Sequence, residues 1–222
     1  MITDTTRLIT TTYLEQVMVL PKTGRHILAQ YDDDSIVVYQ AYNPEIGHYA
    51  AEHQHFGGEF SLTRMSWIKT NFLWMMFRSG WGTKPNQEVI LAVRIKRSAF
   101  DSILAVAVHA SFAPEVYADQ AAWKTALSQS PVRVQWDPDH HPTGTKLERR
   151  AIQLGLSSTA LASYAREWIV DIEDISEFAR KQRLNSRTRA YDTLVMPKEQ
   201  IYPVQDAGVA ARLGISTSRA KG

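Results

Sequence analysis

The residues best suited to chemistry lie in one run, Arg64-Met65-Ser66-Trp67-Ile68-Lys69-Thr70-Asn71-Phe72-Leu73-Trp74-Met75-Met76-Phe77-Arg78-Ser79-Gly80-Trp81. It gathers two guanidinium groups, an ammonium and three indoles. Guanidinium groups offer planar, bidentate donors to phosphate or carboxylate. Indole faces stack on nucleobases and other rings. A helix over 61–79 would put Arg64, Trp67, Asn71, Trp74 and Arg78 on one stripe, and Met65, Ile68, Phe72 and Met75 on a neighbouring apolar one. Thr70-Asn71 offers an alternative, a cap that divides the run into two short helices and halves the stripe. The same residues also suit a structural role, with Trp as core and Arg stacked at its edge.

The run leads into Ser79-Gly80-Trp81-Gly82-Thr83-Lys84-Pro85-Asn86-Gln87-Glu88. Glycines let a backbone approach an anion closely, and Lys84 adds charge, but the spacing is not that of a Walker loop. Glu88, at the mouth of an apolar strand, is a candidate general base or an ordinary strand-end carboxylate. Arg133, Gln135 and Asp137 alternate along a strand and share a face; Asp137 is the second candidate base. Arg150 and Gln153 sit on a nearby strand, out of phase with each other. His48, His53, His55 and His140-His141 lack metal-ligand spacing and read as exposed histidines. Asp32-Asp33-Asp34 reads as a turn before a cation site. Arg180 to Arg189 carries the densest basic run, which reads as a solvated helix end before a phosphate-tracking surface.

These groups need a scaffold. An alternating segment over 25–31, an acidic turn and a β-branched run over 36–42 predict a hairpin. Asn43-Pro44 predicts a helix start reaching about 54. Further strands are expected over 89–95, 132–136, 150–156 and 168–172, and helices over 98–108, 117–128, 158–167 and 174–187. Asp, His, Pro and Gly make 137–145 a loop. The expected fold class is α+β: one compact domain over 25–203 with helices on a mixed or antiparallel sheet, an N-terminal arm over 1–24 and a loosely held tail over 204–222.

With 222 residues, 44% hydrophobic and 22% charged, the chain reads as an ordinary globular domain. A formal net charge of +2 is too small for bulk attraction to nucleic acid. Absence of cysteine excludes disulfides and thiolate metal sites. Without a signal-like N-terminus or a membrane-length apolar run, a soluble, cytoplasmic protein with no membrane partner is expected.

The runs Tyr39-Gln40-Ala41-Tyr42, Arg64 through Trp81, Val132-Arg133-Val134-Gln135-Trp136-Asp137-Pro138 and Arg150-Ala151-Ile152-Gln153-Leu154-Gly155-Leu156 resemble the domain-of-unknown-function family 4291. The likeness spans roughly 20–203. It implies one compact domain in which these polar motifs belong together, with Tyr31 and Asp32 among the residues carried over, and assigns a role to none of them.

The expected ligand-binding set is Arg25, Gln40, Arg64, Trp67, Lys69, Trp74, Arg78, Trp81, Lys84, Gln87, Arg133, Gln135, Arg150 and Gln153. Glu88 and Asp137 are the catalytic candidates, and no metal site is expected. The favoured function is a transferase acting on a nucleotide, a dinucleotide such as NAD, or an RNA end. One version is ADP-ribosyl transfer, from the chain order Arg25, Ser79, Glu88. A non-catalytic nucleotide or nucleic-acid binder and a structural module are the alternatives.

Overall fold

A computed structural model describes residues 6–189 and 191–216. The chain opens with β1 (Thr10–Thr12) and α1 (Tyr13–Val19), then β2 (Leu28–Ala29), β3 (Ser35–Tyr42), α2 (Pro44–His53), β4 (Ser66–Lys69) and α3 (Phe72–Ser79). There follow β5 (Val89–Lys96), α4 (Arg97–Val106), β6 (Val108–His109), α5 (Gln120–Gln129), β7 (Val132–His140) and β8 (Lys146–Leu156). It closes with α6 (Ser158–Arg166), β9 (Ile169–Asp174), α7 (Ser176–Thr188), β10 (Val195–Pro197), β11 (Gln200–Ile201) and α8 (Ala207–Leu213).

Seven strands form one sheet in the order β6-β7-β8-β4-β3-β5-β9. Every neighbouring pair is antiparallel except β6–β7. Strand alternation divides the core into two. Ile36 and Val38 of β3 join Phe100 and Ile103 of α4 and Leu161 and Tyr164 of α6 on one face. Val37 and Tyr39 join Phe72 and Met76 of α3, Phe178 of α7 and Tyr13 of α1 on the other. The fold is therefore a single α+β body with a mixed sheet covered on both sides. Among the described residues no helix is long and apolar enough to cross a membrane.

Three local expectations change. The segment 61–79 is not helical throughout: 66–69 is a strand, and α3 begins only after Asn71. Asn71 Oδ1 accepts from Trp74 N at 2.8 Å, while its Nδ2 donates to Glu199 at 2.9 Å. Glu199 also accepts from Phe72 N at 2.6 Å, so a carboxylate remote in sequence satisfies an amide of the helix start. Its burial raises its pKa well above the usual carboxylate range. The one-face stripe does not exist, since Arg64 lies in the turn before β4, Trp67 on β4, and Trp74 and Arg78 on α3. Second, β7 continues through Asp137-Pro138 to His140, with a register shift between Pro138 and His140, rather than ending in a loop. Third, β2 pairs with β11; the expected hairpin shrinks to the bridge Tyr31–Ile36 around a turn in which Asp32 Oδ1 accepts from Asp34 N and Ser35 N.

Both ends of the described chain are built in. β1 pairs with β10, and Gln16 of α1 is buried, exchanging hydrogen bonds with the Glu199 backbone. Leu213 of α8 is buried, and its carbonyl accepts from Trp136 Nε1 at 2.9 Å. The end of the expected tail, 217–222, and residues 1–5 of the expected arm lie outside the described residues.

Candidate functional site

The sheet opens where β3 and β4 part. Their ladder comes down to the direct pair Tyr39–Lys69, although β3 continues to Tyr42 and β4 begins at Ser66. The Gln40 side chain stitches the gap. Its Nε2 donates to Tyr42 OH and Ser66 Oγ, both at 2.8 Å, and lies 3.3 Å from Trp67 O. Its Oε1 accepts from Tyr164 OH at 2.7 Å. Here a side-chain amide holds two strands that backbone groups hold elsewhere. Tyr164 is fully buried, and burial raises its phenol well above the usual range, so it stays a donor and fixes the amide's orientation.

Around this stitch lies a cavity of about 860 Å³. One side is formed by Tyr42, Asn43 and Ile46 at the start of α2 with Phe60 and Ser61. The other is formed by β4, Met75 and Arg78 of α3, Asn86 and Gln87 of the loop before β5, Gln135 and Gln153. Arg64 and Glu59 stand at its exposed rim. The volume is that of a small-molecule site.

Sheet register fixes the cavity's polar floor. Lys69 pairs with Gln153, and Gln153 with Gln135; residues directly opposite project on the same face. Both amides turn to Asp137: Gln135 Nε2 donates to Oδ1 at 2.9 Å and Gln153 Nε2 to Oδ2 at 2.7 Å. One row along, Trp67 pairs with Gly155. A Cβ at 155 would stand 3.0 Å from Trp67 Cε2 and Cζ2 and 2.6 Å from Met65 Sδ. Glycine therefore lets the indole lie close against the sheet, beside the amide row.

Lys69 is the electrostatic anomaly. It is 4% exposed, and among the described residues its ammonium has no hydrogen-bond or ion-pair partner. Burial pushes its pKa down from 10.5 to about 8, the nearby Arg78 guanidinium pushes the same way, and Asp137 opposes them. A buried cation without a paired carboxylate is costly. Here it lines a cavity together with two further cations, Arg64 and Arg78.

Eight of the fourteen expected ligand-binding residues thus line one cavity: Gln40, Arg64, Trp67, Lys69, Arg78, Gln87, Gln135 and Gln153. Asp137 stands behind the amide row. The other six are placed elsewhere. Trp74 is buried, stacked on His140 at 5.0 Å and Phe77 at 5.6 Å. Trp81 packs edge-on against Phe72. Lys84 Nζ donates to Arg78 O at 2.7 Å and so serves the carbonyl end of α3, where a cation is favoured. The glycine loop does the same. Trp81 N donates to Met76 O, and Thr83 N and Lys84 N donate to Ser79 O; these amides are consumed by a helix cap and are not free for an anion. Arg133 donates to the carbonyls of Leu127 and Ser130. Arg25 faces Glu115 at 3.9 Å and bridges the exposed Arg150 through the backbone. Glu88 is exposed and accepts from Asn86 N at 3.0 Å, outside the cavity lining. Ser79 Oγ is buried and donates to Met75 O, so Arg25, Ser79 and Glu88 form no common site.

The sequence reading missed Tyr42, Asn43, Ser66, Asn86 and the positioning Tyr164. Tyr42 had a signal, since it follows Gln40 at strand period on the same face. Asn43 before Pro44 signals only a helix cap, which it is, accepting from Ile46 N at 3.0 Å. Tyr164 had none, because it meets Gln40 across 124 residues.

No curated protein matches the chain at a significant level. A family model described as domain of unknown function (DUF4291) matches residues 26–202, a span that holds all the described cavity-lining residues. The chain belongs to that family.

Proposed function

We propose that this protein binds a phosphorylated, ring-bearing small molecule of nucleotide or dinucleotide class in the cavity between β3 and β4, and carries out group transfer on it. The observation that carries this reading is Lys69: a buried ammonium with no described partner, beside Arg78 on a cavity wall. Asp137 offsets that charge only in part against burial and Arg78, and an anion in the cavity would offset the rest. Arg64 and Arg78 supply guanidinium forks for phosphate oxygens, and Trp67 supplies the ring-stacking surface. The amides of Asn86 and Gln87 supply donors and acceptors suited to a heterocycle's edge.

A concave volume of about 860 Å³ is of small-molecule size, so RNA enters this reading only as an end. The ADP-ribosyl-transfer version draws no support from Arg25, Ser79 and Glu88, whose side chains are engaged apart from the cavity. Asp137 keeps its place as the candidate catalytic carboxylate, with electrostatic reach to Lys69.

Calorimetric titration with inorganic phosphate, AMP, NAD and a short 5′-phosphorylated RNA tests the proposal. The expected result is saturable binding of AMP or NAD that weakens at least tenfold in Arg78→Met and in Trp67→Leu. Absence of binding by every phosphorylated probe would leave a structural module.

A further inference from the structure

The cavity contains two kinds of cation with different abilities. Arg64 and Arg78 keep their charge at any physiological pH and hold phosphate whether or not they are solvated. Burial does the opposite for an amine: it strips the charge that would make it a good phosphate holder and exposes the lone pair that makes it a nucleophile. Of the cavity's cations Lys69 is the buried one, while Arg64 and Arg78 are exposed. Nothing described pins its nitrogen, and the sheet register sets it beside the amide row that fixes Asp137.

We propose that Lys69 is a catalytic nucleophile that captures the carbonyl carbon of a phosphorylated aldehyde or ketone as a Schiff base, with the phosphate held by Arg78 and Arg64. This rests on the phosphorylated-ligand reading above and narrows the substrate to one that bears a carbonyl, such as an open-chain sugar phosphate or a phosphorylated aromatic aldehyde. The amine lone pair attacks the carbonyl carbon. A C–N bond forms, the C=O π electrons move to oxygen, and a proton passes from nitrogen to that oxygen. The carbinolamine takes a second proton from solvent, loses water and becomes a protonated imine. Nothing is oxidised or reduced.

The surroundings suit both ends of this step. Burial and Arg78 hold the starting amine down to about 8, so a useful fraction is neutral near neutral pH. The product imine is cationic while its nitrogen is protonated, and Asp137, whose two oxygens are held by Gln135 and Gln153, is the nearby carboxylate that favours that protonated form. An iminium draws electrons from the adjacent carbon, so the bonds it labilises are C–H or C–C bonds next to the former carbonyl.

The test uses the full chain and pyridoxal 5′-phosphate, a phosphorylated ring aldehyde, with borohydride reduction and peptide mapping. Expected is reductive trapping at Lys69 at least tenfold faster than at the exposed Lys22, Lys84 or Lys96. Unphosphorylated pyridoxal should react at least tenfold more slowly there, and AMP should protect. The pH profile of trapping should move up in Arg78→Met and down in Asp137→Asn, since these groups shift the amine in opposite directions; a surface lysine away from both groups would show neither change. Even labelling of the surface lysines overturns the proposal. AMP binding that survives while Lys69 is never trapped overturns the nucleophile and leaves the binding reading standing. Trapping at Lys69 at equal rates by both aldehydes, without AMP protection, overturns the phosphorylated substrate class.

Discussion

Replacing Lys69 by Met should stabilise the empty protein at neutral pH. Methionine matches the lysine stem in length and flexibility and carries no charge, so it fills the same space. The magnitude follows from the amine. Its pKa falls from 10.5 to about 8 in the fold, and each tenfold change corresponds to about 1.4 kcal/mol. Keeping the charge in the fold therefore costs about 3 kcal/mol relative to the unfolded chain. Below about pH 8 both states carry the proton and the full cost is present. Between about 8 and 10.5 the folded state has lost the proton while the unfolded state still binds it, so wild-type stability rises with pH. Above 10.5 both are neutral and the cost is gone. Urea unfolding of wild type and Lys69→Met at pH 7, 9 and 10.5 reads this directly. The variant should lead by about 3 kcal/mol at pH 7, as an order of magnitude, and the lead should shrink steadily toward pH 10.5. A variant less stable at pH 7, or a difference that ignores pH, would mean that the ammonium is paired or solvated, and the reasoning for an anion site would fail with it.

Other perturbations separate the parts of the site. Gly155→Ala should push Met65 and Trp67 off the sheet, change the tryptophan emission, and weaken AMP by about tenfold through lost stacking, worth about 1–3 kcal/mol, while inorganic phosphate binding stays unchanged in calorimetry. Gln40→Leu leaves Tyr164 OH unsatisfied and removes the stitch between β3 and β4; denaturant titration should show a loss of about 1–3 kcal/mol. Asn71→Ala removes the α3 cap and a partner of Glu199, and should lower stability by about 1–2 kcal/mol by the same method. Lys84→Met serves as the contrast, since Lys84 caps α3 rather than facing the ligand: AMP affinity should change less than twofold, with stability falling by about 0.3–1 kcal/mol.

The fold class and the polar floor were legible for a simple reason. Strand alternation is local, so Gln135 and Asp137 could be put on one face from spacing alone, and the apolar runs of β3 and β5 announced a covered sheet. What was not legible depended on tertiary choice. The run 61–79 satisfies a helical stripe and a strand-then-helix equally well on paper. The decision came from Asn71 and Glu199, a pair separated by 128 residues, whose hydrogen bonds start a helix at Phe72 and leave 66–69 to pair with β8. Lys69 and Trp67 share a face because of that strand, not because of a helix. Lys84 misled in the other direction: a lysine after two glycines reads as a phosphate loop, yet the amides and the ammonium all turn back to the carbonyl end of α3.

The structural-module reading accounts well for the tryptophans on and after α3 and poorly for the floor of the cavity. Trp74 and Trp81 pack against Phe77, His140 and Phe72, away from the cavity, although the buried Trp74 Nε1 has no hydrogen-bond partner among the described residues. The Lys69 side chain is buried, but its ammonium makes no hydrogen bond among the described residues and has only the attraction of Asp137 to set against burial and Arg78, and the sheet beside it is opened rather than filled. Backbone pairing between β3 and β4 has been given up over 40–42 and replaced by the side chain of Gln40, itself fixed by a buried tyrosine. A packing solution would close that ladder and put a hydrocarbon at 69. An open ladder, a fixed amide row and an unpaired buried amine make sense together when the missing partner is the molecule that the cavity receives.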